Sequence, residues 1–255
     1  MLNKDTALVV LPYVQKFAQG REIELALTGW EKFCEFEYEF VIIGEFNEDL
    51  KSKFPWITFI EYPTTPKIDG EYTPHIDVQR KMEIIKDLYG DRYDGFIRMM
   101  DDIYAVKSFS LSDITTTHYH SSSFRGDMYA PTSYWNYDKY KTRQLLDREN
   151  LPHYNYATHF PFYFEFDKLE EIWDKYNMRE ESYVYEDIYF NYFNYFYHDE
   201  PVLDSTIRLG IWSKDIYQND FDKALNDPNI KFMCNSVNGW SVSLEDSLRR
   251  LLSLE

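Results

Sequence analysis

The stretch Asp94-Gly-Phe-Ile-Arg-Met-Met-Asp-Asp-Ile-Tyr104 constrains the fold more than any other. Residues 95–100 carry a single charge, Arg98, which suits a central strand covered on both faces. Two adjacent carboxylates, Asp101 and Asp102, arrive where that strand should end. In open α/β sheets ligands bind outside the carboxyl ends of the strands, so these acids stand where chemistry usually happens. Successive side chains of an extended segment point to opposite faces, so both acids serve one point only if the chain turns between them. One carboxylate then suits a divalent cation such as Mn2+ or Mg2+, and the other a water, a sugar hydroxyl or a neighbouring side chain. A plain strand end with solvated acids is the competing interpretation of a lone Asp-Asp.

The segments before it set its surroundings. Residues 7–11 form an apolar run of strand length that Pro12 and Tyr13 end. A helical pattern follows from Gly20, with Ile23, Leu25, Ala26, Leu27 and Trp30 on one face and Arg21, Glu22, Glu24, Glu31 and Lys32 on the other. Residues 40–43 predict a second strand with Gly44-Glu45 at its end, and residues 56–60 a third. Three prolines and a glycine make residues 62–74 a loop, and residues 75–89 a helix stopped by Gly90. This order predicts a three-layer, mostly parallel α/β sheet. Its carboxyl ends would bring Pro12-Tyr13, Gly44-Glu45 and Asp101-Asp102 to one edge, which suits a nucleotide or nucleotide-sugar crevice. Dinucleotide and P-loop glycine fingerprints are absent. Gly20-Arg21 before a helix can bring backbone N–H groups to an anion, although single glycines before helices are common.

Beyond residue 110 the chain turns polar, with His118, His120, serines 121–123 and Arg125-Gly126, and His-x-His in such a loop is either a metal pair or two solvated rings. Residues 137–150 predict a helix holding Lys139, Lys141, Arg143 and Arg148, the one concentrated basic patch: a solvated face or a phosphate clamp. His159 lies in the aromatic segment 155–164, where its surroundings would orient it to hold a proton or simply pack it. Residues 167–176 and 181–198 predict two more helices, the second aromatic, with Glu186 and Asp187 as possible further ligands or bases. A terminal helix follows, capped by Ser243. The expected organisation is one domain over residues 1–255, with a nucleotide-sugar-binding part (1–110) and a helical, aromatic-rich acceptor-side part (111–255).

A formal charge of −17 opposes nucleic-acid binding, which requires a basic surface. No apolar run is long enough to span a membrane and no signal pattern opens the chain, so a cytoplasmic protein is expected. Cys34 and Cys234 fit no zinc or redox spacing and are expected as buried thiols rather than a disulfide.

Taken together, Phe96-Ile-Arg-Met-Met-Asp-Asp-Ile-Tyr104, Tyr156-Ala-Thr-His-Phe-Pro-Phe162 and Tyr185-Glu-Asp-Ile-Tyr-Phe-Asn-Tyr192 resemble two blocks of the Stealth sugar-phosphate transferases. The same layout is similar to bacterial and phage-borne glycosyltransferase-like proteins of the GT-A fold, whose first nucleotide-binding unit the opening segment through Gly44 resembles. The opening block typical of Stealth proteins is not evident. The resemblance implies a metal-dependent glycosyltransferase that takes a nucleotide-sugar donor and a glycan acceptor, in surface or capsular polysaccharide synthesis. Asp101 and Asp102 would take the place of the family's metal and donor acids, and His159 that of its histidine, as acid/base or third metal ligand. Pro12, Tyr13, Arg21 and Gly44 are the candidate donor-binding positions, and Arg80, Lys81 and Arg143 are candidates for the diphosphate from sequence position alone, Arg143 as an electrostatic catalyst. Sugar-1-phosphate transfer of the Stealth type, and a catalytically silent glycan-binding module, are the two alternatives.

Overall fold

The computed structural model describes residues 6–15, 18–45, 47–62, 67–68, 71–120, 134–197, 200–215 and 217–254. In chain order the elements are β1 (Ala7–Tyr13), α1 (Glu22–Phe33), β2 (Tyr38–Gly44), α2 (Glu48–Lys53), β3 (Thr58–Glu61), β4 (Lys67–Ile68), β5 (Glu71–Tyr72), α3 (Pro74–Tyr89), β6 (Gly95–Arg98) and β7 (Ile103–Ala105). Then come α4 (Leu111–Thr115), β8 (His118–Tyr119), α5 (Tyr134–Arg148), β9 (Phe162–Glu165), α6 (Phe166–Tyr176), α7 (Tyr185–Tyr197), β10 (Val202–Leu203), β11 (Arg208–Ile211), α8 (Tyr217–Asn226), β12 (Phe232–Asn235) and α9 (Val242–Leu252).

The main sheet has the order β3-β2-β1-β6-β9, parallel except for β9 at one edge. Register shows how it is covered. Val9 lies beside Phe40 and Ile97, so these three share a face, while Val10, Val41 and Arg98 share the other. Trp30 of α1 meets the Phe40 ring edge-on at 6.0 Å, which places α1 over the first face. Phe164, beside Phe96, meets Tyr185, Tyr189 and Phe190 of α7 between 4.9 and 5.7 Å, which places α7 over the second. Helices on both sides explain why every residue from Leu8 to Leu11 and from Phe40 to Gly44 is buried. The expected mostly parallel, three-layer α/β sheet is what the chain forms.

The strand order also fixes where a ligand can enter. From β1 the chain moves through α1 to β2 on one side, and later returns through α3 to β6 on the other. Right-handed crossovers in opposite directions put α1 and α3 on opposite faces, leaving a crevice between the carboxyl ends of β1 and β6. Gly44 allows the tight end of β2: its φ is +152°, and a Cβ there would lie 2.0 Å from the Tyr13 carbonyl oxygen.

Several expectations shift. Glu22, assigned to the solvent face of α1, is 3% exposed, because it opens the helix at the carboxyl edge of the sheet. The end of the aromatic segment 155–164 enters β9 (Phe162–Glu165), which pairs antiparallel with β6. The part beyond residue 110 carries α5 to α9 and also β11 and β12, and β12 pairs antiparallel with β7. The segment between β3 and α3, expected as a loop, contains the β4–β5 pair. The last helix is capped two residues earlier than expected, where the Ser241 hydroxyl accepts from the Leu244 N–H at 3.1 Å. Cys34 and Cys234 are free thiols, Cys234 buried as expected and Cys34 only partly, because it lies just past the end of α1. Serines 121–123 and Arg125-Gly126 lie outside the described residues.

Candidate active site

Between β6 and β7 the chain turns through Asp101 and Asp102, closed by the Ile103 N–H to the Met100 carbonyl at 3.4 Å. The turn is what the acids need in order to serve one crevice, because a continuous strand would send them to opposite faces. Both are partly buried. Asp102 Oδ2 sits 2.6 Å from His159 Nδ1, and its Oδ1 is buried with no hydrogen-bond partner.

His159 is brought there by α7. One oxygen of Asp187 accepts from the Tyr156 N–H at 2.5 Å and the Ala157 N–H at 3.1 Å. One turn on, Asn191 accepts from the Tyr154 N–H at 3.0 Å and donates to the Tyr154 carbonyl at 2.7 Å. The helix therefore pins the loop two residues before His159. Glu186 has a different task. It pairs with Arg98 at 2.8 Å under the sheet, where both are buried. The two acids that the sequence offers as further ligands are thus engaged in holding the loop and the strand.

Three residues outside the sequence reading complete the site. Glu22 accepts from the Gln19 N–H at 2.7 Å and from the Asn235 side-chain amide at 2.6 Å. Asn235, at the end of β12, accepts in turn from the Tyr104 hydroxyl at 2.5 Å. Glu22 therefore faces the Asp pair through neutral donors. Its carboxyl is pushed up to about 7, mainly by burial, with the Asp102 charge adding to the shift. Asp101 is pushed up to about 8 by burial and then by the charges of Asp102 and Glu22. Tyr13, buried at the end of β1, is raised by burial and feels Asp101. This is a cluster of carboxylates with too little positive charge around it.

The remaining predicted positions divide. Pro12 and Tyr13 lie beside Ile43 and Gly44, where β1 and β2 end, and the Gln15 N–H reaches Glu45 at 2.7 Å across the same edge. Arg21 precedes α1 and bonds Glu24 through its Nε at 2.9 Å. Arg80 instead lines a separate groove of about 430 Å³ with Tyr62, Glu83, Trp173 and Arg179. Arg143 faces Asp147 along its own helix at 3.8 Å. The His-x-His pair splits: the His118 ring packs on Phe160 at 4.7 Å, while His120 turns to Asp204 at 3.4 Å. Lys141 pairs with Glu181 and Arg148 with Glu149, as a solvated helix face does.

Among the described residues no three His, Cys, Asp or Glu side chains form a ready-made metal cage. Asp101, Asp102 and His159 are together, but the His159 nitrogen nearest Asp102 is already hydrogen-bonded to it. What fits a hard divalent cation is the pair of carboxylates, with the unpartnered Asp102 Oδ1 available, provided that a ligand supplies further oxygens.

No protein-family model matches the sequence, and no curated protein matches it. Among solved structures the chain is similar to the apo form of mouse xyloside xylosyltransferase 1, at 9% identity and a TM-score of 0.48, over 93% of this chain and 99% of that one. No helix among the described residues is long and apolar enough to cross a membrane.

Proposed function

We propose that the chain is a metal-dependent glycosyltransferase of the GT-A type, taking a nucleotide-sugar donor at the crevice between β1 and β6. The observation that carries this reading is the turn at Asp101 and Asp102: two carboxylates at the strand-order switch, with Glu22 behind them and a buried oxygen of Asp102 unpartnered. Glu22 and Asp101, whose proton affinity is raised, stand with little positive charge nearby and favour a cation that arrives with an anionic ligand. A nucleotide diphosphate brings both the charge and the missing oxygen ligands.

In this reading Asp101 and Asp102 hold the cation, which when bound neutralises charge on the departing diphosphate. Tyr13 and Gly44 form the floor at the nucleotide side, and Arg21 at the mouth of α1 is the cation offered to the phosphates. Arg80 and Arg143 are given no role here, because their contacts lie elsewhere. His159 donates from Nδ1 to Asp102, which leaves Nε2 as an acceptor able to hold the proton of an incoming hydroxyl. Asp187 acts through the loop it pins and is a positioning residue.

Calorimetric titration with nucleoside diphosphates and nucleotide sugars, with and without Mn2+, tests the reading. Binding that requires metal and disappears in Asp101→Ala/Asp102→Ala is expected. Silence across the whole panel in both conditions would overturn it.

A further inference from the structure

On the side of the site away from β1, the parallel strands β11 and β12 end in two loops that hold each other. The Lys214 N–H donates to the Asn238 carbonyl and the Ser236 N–H to the Ile211 carbonyl, both at 3.1 Å. Asn235, immediately before the second loop, belongs to the acid site through Glu22. On the first loop stands Trp212, 48% exposed, whereas Trp30 and Trp173 are fully buried.

The underside of the Trp212 ring is built. Gly210 lies so close that a Cβ there would come within 2.4 Å of Cζ2 and 2.5 Å of Cε2. The Arg208 guanidinium sits 5.8 Å from the ring centroid, itself buried and fixed by Asp204. The ring stands edge-on to His159, with centroids 6.2 Å apart and planes at 84°. An indole with a fitted support below and solvent beside it thus borders the histidine that bonds Asp102. Val237, on the second loop, is 75% exposed.

We propose that Trp212 is a stacking platform for one pyranose ring of the saccharide acceptor. The identification of the occupant as the acceptor rests on the glycosyltransferase reading of the neighbouring acids. The axial C–H face of a pyranose is flat and apolar, and an indole presents the matching surface, while the ring hydroxyls remain free to reach His159. The fixed underside matters because a platform held in place loses little conformational freedom when the sugar arrives. A saccharide with a predominantly equatorial hydroxyl pattern exposes the larger apolar face and is the preferred class.

Saturation-transfer NMR on the metal-free, nucleotide-free protein, with the methyl glycosides of glucose, galactose, mannose and xylose, tests this directly. Contact with axial ring protons is expected, with affinity falling about tenfold or more in Trp212→Ala and largely kept in Trp212→Phe. Gly210→Ala, which pushes the ring from its seat, should also weaken binding with Trp212 intact. Calorimetry with nucleoside diphosphates and Mn2+ should be unchanged in all three variants. Equal glycoside affinity in wild type and Trp212→Ala, no glycoside binding to the wild type, or a loss confined to the nucleotide would each overturn the platform. If glycosides bind through Trp212 but no nucleotide binds with metal, the transferase reading falls and the platform stands as part of a glycan-binding module. Metal-dependent nucleotide binding without glycoside binding gives the reverse.

Discussion

Four carboxylates withdrawn from solvent fall into two pairs, separated by how their charge is met. Asp77 lies 2.7 Å from Lys81 and Asp204 2.5 Å from Arg208, each acid four residues before its cation and each pair almost wholly buried. Burial pushes the Asp204 carboxyl up, but hydrogen bonding from His120 and the Arg208 charge hold it below the ordinary range. Glu22 and Asp101 are met instead by neutral donors and by other acids, and both are raised. The first kind closes its own electrostatic balance within the chain and fixes structure: Lys81 also donates to the Tyr13 carbonyl at 3.2 Å, anchoring the end of β1. The second kind leaves its balance to be completed from outside. In the proposed reading, that contrast singles out the β1–β6 crevice as the donor site.

The contrast breaks most sharply under substitution of single acids. Asp204→Ala strands a buried guanidinium, and loss of one partner of such a pair costs about 3–5 kcal/mol. Urea unfolding should read that loss; a change under about 1 kcal/mol would mean that the pairing carries no structural weight. At the other region, Asp102→Asn should leave the unfolding midpoint in place. It should remove metal-dependent nucleotide binding and lower turnover by about 100-fold or more, the scale of losing one preorganised electrostatic contact at a reacting centre. Retained turnover would return the Asp pair to a solvated strand end.

Asp187 tests whether α7 contributes by position. Burial raises its proton affinity well above the usual carboxylate range, the Tyr156 and Ala157 N–H groups oppose that shift, and its part in the fold is that of a hydrogen-bond acceptor. Asp187→Asn, which keeps the acceptor, should be tolerated. Asp187→Ala leaves the Tyr156 N–H without a partner, at about 1–3 kcal/mol, and leaves the Ala157 N–H only the Asn155 side-chain oxygen; it should raise the KM for acceptor by loosening the His159 loop. Equal behaviour of the two variants in unfolding and kinetics would sink the assignment.

The sheet was legible because β1, β2 and β6 are continuous apolar runs, and their carboxyl ends follow once they are taken as parallel. Asp101, Asp102 and His159 were legible as residues out of keeping with their apolar neighbours, and the fold brings them together. Glu22 was not, since on a helical wheel it falls among charges, and only the docking of α1 against the sheet edge buries it. Asn235 follows Phe232-Met-Cys much as Asp101 follows its own apolar run, so a signal was present, but nothing in sequence says that β12 pairs with β7 and delivers it to the acids. Trp212 gave no periodic signal at all. Its meaning comes from Gly210 beneath it and His159 beside it, a meeting made by chain segments some fifty residues apart.

The last predicted effect is one of slope. Glu22 and Asp101 have ordinary values of 4.5 and 3.8, which the fold raises to about 7 and about 8. Between those limits the folded chain holds more protons than the unfolded one, so the free energy of unfolding falls as pH rises. The stabilisation is full below the ordinary values and is lost as pH passes through the raised ones. Asp204 acts with the opposite sign: its depressed value gives stability that is present at neutral pH and lost on acidification. Thermal unfolding in chelator should therefore show a decline between pH 5 and pH 8 that flattens in Glu22→Gln and in Asp101→Asn. In the proposed reading Mn2+ would displace the proton of Asp101, so the same metal concentration should raise the wild-type Tm more at pH 8 than at pH 5. Wild-type and variant curves that run parallel across the whole range would show that the fold already balances these carboxylates, and the division between the two kinds of acid would collapse.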